Sequence, residues 1–452
     1  MKRRKFLFIS ANKHTTPYPV YPLGISYLSS YLHDRLPGLE TRIFDANLDS
    51  MEALITLLND FQPDYTGISF RNVDDVNFYS QESFILGYRD ILETIRQHSH
   101  SVLIIGGSAF SIFPRELFSF FNPDYGILGE GEDSLYRLIL SLNEGTADLS
   151  IEGLVFRNKN KVVINARKNY IQTPNLCFEK NLVDFYWDKS GMMNIQTKRG
   201  CPYHCIYCTY PLIEGHKVRT LDPDKIIHTL KDLITDHQVE YVFFTDSVFN
   251  IHNPFNITLA EKMIASGINM KWGAYFSPHH LDRPLLELFH RAGLTHIEFG
   301  TESLSDTTLK NYGKLFTVDE VVDISRICNE VGIYFAHFLI LGGYGETEQT
   351  IDESFENSKR MDNTVFFPYI GMRIYPGTRL QNLATAEGII HSGDDLLEPV
   401  YYIAKGINYE TLKQKADATG RRWVFPDEDV ATIMNRMRKR KRKGSLWHHL
   451  KK

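Results

Sequence analysis

Three cysteines stand close together in Lys198-Arg199-Gly200-Cys201-Pro202-Tyr203-His204-Cys205-Ile206-Tyr207-Cys208, spaced C-x3-C-x2-C. Thiolates are soft ligands that suit iron–sulfur clusters or zinc. Three local thiolates can hold three irons of a [4Fe–4S] cube, and the fourth iron is then open to a small molecule. Zinc would instead close its shell with a fourth Cys or His, for which His204 or Cys177 could serve. Buried free thiols are the plainest alternative. The chain has five cysteines, an odd number, with three of them inside eight residues. A reducing compartment and a metal site fit that pattern better than disulfides do. Cys328, in VDEVVDISRICNEVG, is spaced to pack with Ile324 and Val331 as a core residue.

The elements that must position this loop read as alternating strands and helices, the signature of parallel α/β architecture. Residues 1–145 give five β-α units, with strands KFLFIS, TRIFDA, YTGISF, VLIIGG and YGILGE. The intervening helices include one expected over YSQESFILGYRDILETIRQ. Near-continuous apolar strands predict a sheet covered on both faces. Ligands of such sheets sit beyond the carboxyl ends of the strands, where small residues allow close approach. Residues 146–190 break the rhythm: GLVFRNKNKVVINA reads as a hairpin turning at Asn158–Lys161, followed by linker. From 191 to 383 the alternation resumes with six strands, MMNIQT, EYVFFTD, MKWGAYF, THIEFGT, YFAHFLILGG and VFFPYIGMRIY. Six units predict a partial barrel rather than a closed eightfold one. The cysteine loop follows its first strand. Residues 384–452 show no clear strand pattern and read as a small helical region, with helices expected over NYETLKQKADATG and EDVATIMNRMRKRKRK.

With the motif in this place, the sequence resembles the radical S-adenosylmethionine (SAM) superfamily over roughly 192–380. The resemblance implies that Cys201, Cys205 and Cys208 hold a [4Fe–4S] cluster whose open iron is chelated by SAM. An electron from the cluster then cleaves the sulfonium and yields a 5′-deoxyadenosyl radical. It also implies SAM contacts from Tyr207, against adenine, and from Asp246 and Asn250 after the second strand. Gly300, Glu302 and Ser303 match the G-x-E-S motif after the fourth strand. Gly342 ends the fifth strand, and Arg373 would pair with a carboxylate, although helix capping or an ion pair would also explain several of these residues. His337 points to one side of the fifth strand, as a lumen residue or a satisfied core histidine. No catalytic acid, base or nucleophile stands out.

The five-unit α/β domain in front of the barrel resembles the cobalamin-binding subgroup, with a Rossmann-like, flavodoxin-like domain. By that resemblance cobalamin would be contacted by Pro22, Leu23 and Gly24, by Ser69, Phe70, Arg71 and Asn72, by Gly106, Gly107 and Ser108, and by Gly129, Glu130, Gly131 and Glu132. The D-x-H-x-x-G cobalt-ligand motif is absent: the first loop reads Asn12-Lys13-His14-Thr15-Thr16-Pro17. His14 is therefore not assigned to cobalt and is expected to be a solvent-exposed loop residue.

Composition limits the partners. Of 452 residues 43% are apolar and 23% charged, ordinary for a globular chain. The net charge is −5, yet Met434–Lys452 holds nine Lys or Arg and no acid, which leaves −14 on the rest. An acidic body disfavours nucleic acid. Seven of the eight residues Arg436–Lys443 are basic, a pattern expected of a solvated helix end, while Trp447, His448 and His449 leave contact with nucleic acid or an acidic carrier open. No apolar run reaches membrane-spanning length, and the expected location is the cytoplasm. The resemblance implies a cobalamin-dependent methyltransferase acting on an unactivated carbon, with flavodoxin or ferredoxin as electron donor and the substrate unidentified. A non-methylating rearrangement, cyclisation or oxidation with the same cofactors is the alternative. A metal-stabilised RNA-binding protein is a distant third.

Overall fold

The structure, a computed structural model, describes residues 4–170, 176–428, 432, 435, 439, 440, 442–445 and 447–450. The chain forms two compact units: residues 1–75, 82–185 and 212–214 make the first, and residues 76–81, 186–211 and 215–452 the second.

The first unit is a seven-stranded sheet. Its strands are β1 (Arg4–Ser10), β2 (Leu39–Asp45), β3 (Tyr65–Ser69), β4 (Val102–Gly106), β5 (Tyr125–Ile127), β6 (Leu154–Asn158) and β7 (Lys161–Ile164). Their order is β2-β1-β3-β4-β5-β6-β7. The first five pair in parallel, which is the flavodoxin-like order with its switch point between β1 and β3. Phe6, Leu7, Phe8 and Ile9 are all buried, because helices cover both faces of β1. The hairpin expected between the domains forms, but it is not free-standing. β6 pairs antiparallel with β5, and β7 with β6. The exposed edge of β5 would otherwise leave a row of unpaired backbone groups, and buried Leu154 and Val155 complete the core there.

One expected helix is shorter than its sequence pattern. It begins at Ile85 rather than near Tyr79, because Val76–Gln81 belongs to the second unit. There the Phe78 ring meets Tyr401 at 5.5 Å and the Tyr79 ring meets Tyr409 at 4.4 Å.

The second unit carries the other seven-stranded sheet. Along the chain come β8 (Met193–Ile195), the two-residue ribbon β9 (Lys198–Arg199) and β10 (Arg219–Thr220), then β11 (Tyr241–Phe244), β12 (Lys271–Phe276), β13 (Leu294–Glu302), β14 (Tyr334–Leu341) and β15 (Val365–Ile370). A second ribbon, β16 (Met372–Arg373) with β17 (Tyr401–Tyr402), precedes β18 (Arg422–Trp423). The large sheet runs β18-β15-β14-β13-β12-β11-β8, with every pair parallel. The six expected strands are present, and β18 adds a seventh from the region read as helical. Two residues are too few to show a period, and β18 is held in place by Trp423 stacking on Phe366.

The helix Tyr409–Ala418 forms, capped by the Asn408 side chain on the Thr411 N–H. The helix expected over EDVATIMNRMRKRKRK falls largely outside the described residues. Trp447 is not presented to solvent. Residues 444, 445 and 447–450 return to the sheet, with Ser445, Trp447 and Leu450 buried. Trp447 Nε1 donates to Glu298 Oε1 at 3.2 Å, and a His296 ring nitrogen lies 2.9 Å from His448. A buried indole must place its N–H on a partner, and this one reaches a carboxylate inside the barrel.

A cysteine loop at the carboxyl end of the barrel

The loop is built from its flanks inward. Thr197 and Lys198 enter it over Asp246, which is fully buried. The Asp246 carboxylate accepts from Thr197 N at 2.7 Å, Thr197 Oγ1 at 2.5 Å, Lys198 N at 3.1 Å and Lys198 Nζ at 2.6 Å. The β9–β10 ribbon then closes the neck of the loop. Gly200 turns the chain at φ +88°, and a Cβ there would overlap the Lys217 carbonyl oxygen, so only glycine fits. Cys201 N donates to Gly215 O at 3.1 Å, Ile206 N to Tyr312 O at 3.2 Å, and Leu380 N to Ile206 O at 2.8 Å. Three separate segments thus hold the backbone on which the thiols sit.

Cys201 is buried, while Cys205 and Cys208 are partly open. Burial pushes the Cys201 thiol up and the Cys208 thiol up to about 12, the second helped by the neighbouring Cys205. Lys314 acts electrostatically on both and opposes these shifts. Lys314 Nζ lies 3.3 Å from Glu302 Oε1, 3.3 Å from Gly300 O, and 5.7 Å from the centroid of the Tyr207 ring. Burial would lower its own pKa, but Glu302, Cys205 and Cys208 outweigh that, and the net direction is up. Tyr207 is half-buried, and its hydroxyl bonds Glu302. Glu302 itself sits at φ +67°, at a register shift between Gly300 and Glu302 where β13 meets β14. Left-handed backbone at a non-glycine residue costs roughly 1–3 kcal/mol and persists only where the surroundings impose it. Here it aims the carboxylate at Lys314.

Several expected site residues also hold the frame together. Asp246 clamps the loop entry. Asn250 donates to Ser277 O at 3.0 Å and His279 O at 2.7 Å, and accepts from Ser277 N, so it ties down the chain after β12. Ser303 is buried against Ser354 Oγ and caps Ser305 N. Arg373 lies inside the fold and is no surface residue. It is buried and donates to the carbonyls of Ile374 and Leu396, both at 2.7 Å. Gly342 turns at φ +81°, and its N–H bonds the Glu346 carboxylate. His337 faces the helix Val318–Val331, between Thr301 Oγ1 at 2.7 Å and Ser325 Oγ at 3.1 Å. It is a core histidine and points away from the lumen. Cys328 is fully buried, as expected. Tyr207, Gly300 and Glu302 do gather beside the cysteines. Lys314 and Tyr312 were missed: no motif marks them, and each reaches the loop only because Gly313 ends a short helix against it.

In the first unit the carboxyl ends of β3 and β4 come together. Ser69 Oγ lies beside Gly107, whose φ is +99°. Ser108 Oγ donates to Arg71 O at 2.7 Å. Gly24, Arg71 and Asn72 are open or partly open, as are Pro22, Leu23, Gly106, Gly107, Ser108, Gly129 and Gly131. Phe70 is turned inward, stacked on Tyr88 at 4.6 Å. Glu130 and Glu132 are buried and act as counter-charges to Arg167, which donates to Leu128 O and Ser134 Oγ. His14 is half-buried, its ring 5.3 Å from Phe84, rather than in open solvent.

Residues 195–357 match the radical SAM superfamily, and residues 9–139 match the B12 binding domain. The chain therefore carries a radical SAM domain, with a B12-binding domain ahead of it in sequence. It is 23% identical over 407 residues to the uncharacterized methyltransferase PH0819 of Pyrococcus horikoshii, covering 86% of this chain and 85% of that one. It is 24% identical over 372 residues to the anaerobic magnesium-protoporphyrin IX monomethyl ester cyclase of Cereibacter sphaeroides, covering 78% and 59%. Its fold is similar to the radical S-adenosylmethionine methyltransferase TsrM from Kitasatospora setae, solved with cobalamin and a [4Fe-4S] cluster bound, with a TM-score of 0.86 at 20% identity over 99% of this chain and 97% of that one.

Proposed function

We propose that this chain is a cobalamin-dependent radical SAM methyltransferase acting on an unactivated carbon, with flavodoxin or ferredoxin as electron donor in the cytoplasm. The observation that carries the reading is the cysteine loop itself: three thiols on a rigid frame, two of them partly open, beside Glu302, Lys314 and Tyr207. The donor set fits a cubane. Among the described residues no three His, Cys, Asp or Glu side chains are arranged to hold one metal ion. A cubane takes one thiolate per iron and asks for no such convergence on a point. The small residues Ser69, Gly106, Gly107 and Ser108 at the carboxyl ends of β3 and β4 likewise fit close approach of a bulky corrinoid.

When bound, the cluster with SAM supplies a carbon-centred radical and cobalamin supplies a transferable methyl group. The protein's part is placement. Cys201, Cys205 and Cys208 hold iron, and Lys314 offsets the negative charge that gathers when three thiols deprotonate. Glu302, fixed by Lys314 and the Tyr207 hydroxyl, presents a carboxylate oriented for an ammonium group. Tyr207 and Gly300 frame the same spot.

The similarity to PH0819 and TsrM supports methyl transfer. The similarity to the cyclase favours a second reading, in which the same cofactors serve a reaction without methyl transfer. Anaerobic reconstitution with iron, sulfide and hydroxocobalamin, followed by mass analysis of SAM and product, separates them. Methyl transfer adds one methylene unit to the product. Consumption of SAM to deoxyadenosine with no methylated product would refute it in favour of the second reading. Failure to assemble a cluster would refute both.

A further inference from the structure

The register of the second sheet sorts its side chains onto two faces. His337, Phe299 and Phe366 face the helices, since His337 bonds Ser325 on the helix Val318–Val331 and stacks with both rings. Their neighbours in sequence therefore face the lumen. Pairing confirms the set, because Tyr275 lies opposite Glu298, Gly300 opposite Phe338, and Phe338 opposite Phe367. The lumen face thus carries Phe243, Tyr275, Phe338, Phe367 and Tyr369, with the carboxylate of Glu298 among them. Phe243 meets Tyr275 edge-on at 4.9 Å, and Phe338 stacks on Phe367 at 5.1 Å. Tyr275 is 41% exposed and Tyr369 43% exposed, although both lie on the inner face. Their rings border open space inside the barrel.

Two carboxylates act on Tyr369: Glu302, already paired with Lys314, and Glu298. Glu298 Oε1 takes the Trp447 indole N–H, and no other hydrogen bond to its side chain is made among the described residues. The groups facing it are Tyr241 on β11, Tyr275 on β12, His296 on its own strand, Tyr369 on β15, and Trp447 with His448 below. Among the described residues no lysine or arginine pairs with Glu298. Burial pushes the Glu298 carboxyl up to about 7, and the Trp447 donor pulls against that. A buried carboxylate without a cation is costly unless a ligand supplies one. Aromatic rings around it attract the same charge through their faces.

We infer that the barrel lumen is a binding chamber for an organic cation, a flat apolar body carrying a protonated amine, with the amine anchored on Glu298 and the body held between the rings of Tyr275, Tyr369, Phe338 and Phe367. The inference rests on the enzyme reading only in calling this ligand the substrate; binding is measured without turnover. Trp447 is a positioning residue that keeps Glu298 in place and eases its ionisation.

The test is calorimetric titration of the full chain, before and after cluster reconstitution, with 2-naphthylmethylamine and its neutral isostere 2-naphthylmethanol. The amine is expected to bind at least about tenfold tighter than the alcohol at pH 8, as a charge-assisted hydrogen bond predicts. That preference shrinks as pH falls through 7, because Glu298 takes up a proton. It disappears in Glu298→Gln. In Trp447→Phe the amine still binds, but its pH midpoint moves up, a change that lost packing alone would not produce. Equal affinity for the two probes, no binding of either, a preference that survives in Glu298→Gln, or an unmoved midpoint in Trp447→Phe would each overturn the inference. Binding without cluster assembly would count against the enzyme reading alone, and cluster assembly without amine preference against this one alone.

Discussion

Asp246→Asn removes a charge that the entry to the cysteine loop depends on. In the native structure Asp246 and Lys198 side chains are both fully buried and 2.6 Å apart. Asn keeps one carbonyl oxygen for the Thr197 and Lys198 backbone N–H groups, now met at 2.7 and 3.1 Å. The Lys198 ammonium is left with the Thr197 hydroxyl at 3.0 Å and the Phe249 ring at 4.3 Å. Breaking one side of a buried pair costs about 3–5 kcal/mol, because the other charge stays behind. The same loss should loosen Thr197–Gly200 and so lower iron uptake. Asp246→Asn with Lys198→Met removes both charges in similar volume and should recover most of the stability and the iron. The assay is urea unfolding followed by circular dichroism, with iron per chain measured after anaerobic reconstitution. A single variant less than about 1 kcal/mol weaker, or a double variant no better than the single, would refute the reasoning.

Three further outcomes follow from the same geometry. His337 is buried and neutral, its pKa lowered to about 3 by desolvation. The unfolded chain takes up that proton near pH 6.5, so stability is full above pH 6.5 and falls by up to about 4 kcal/mol as pH drops toward 3; His337→Asn should flatten that part of the urea-stability profile. Gly200→Ala should cost at least about 2 kcal/mol in the same unfolding assay, since φ is +88° and the new Cβ meets the Lys217 carbonyl. Ending the chain after Lys443 removes Trp447 from Glu298 and His448 from His296. The melting temperature should fall by several degrees, whereas a merely solvated tail would leave it unchanged.

The local signals in this chain were strong where one residue type at one spacing decides the chemistry. The C-x3-C-x2-C spacing needs no partner elsewhere to suggest iron, and Gly200 announces the turn that opens the loop. The apolar runs of β1, β3 and β4 predicted a doubly covered sheet because burial on both faces leaves no alternation to hide. The six strands expected in the second unit were legible from their apolar runs too. The contacts of polar residues at strand ends were less legible. Asp246, Asn250, Ser303 and Arg373 are buried, and each makes internal hydrogen bonds that no motif announces. Which way such a side chain turns is set by its packing and not by its position in a motif.

Sequence by itself determined the alternation of strands and helices, the order of the two units along the chain, and the trio of thiols, because each follows from neighbours a few residues apart. Tertiary structure alone decided that Lys314 faces the thiols, that β13 slips register and turns Glu302 toward Lys314, and that Trp447 comes back across 149 residues to meet Glu298. Those contacts join segments whose separation in sequence carries no period or spacing. They exist because the folded sheet leaves a buried carboxylate, an open strand edge or a crowded thiol, and a distant residue lowers the free energy by meeting it.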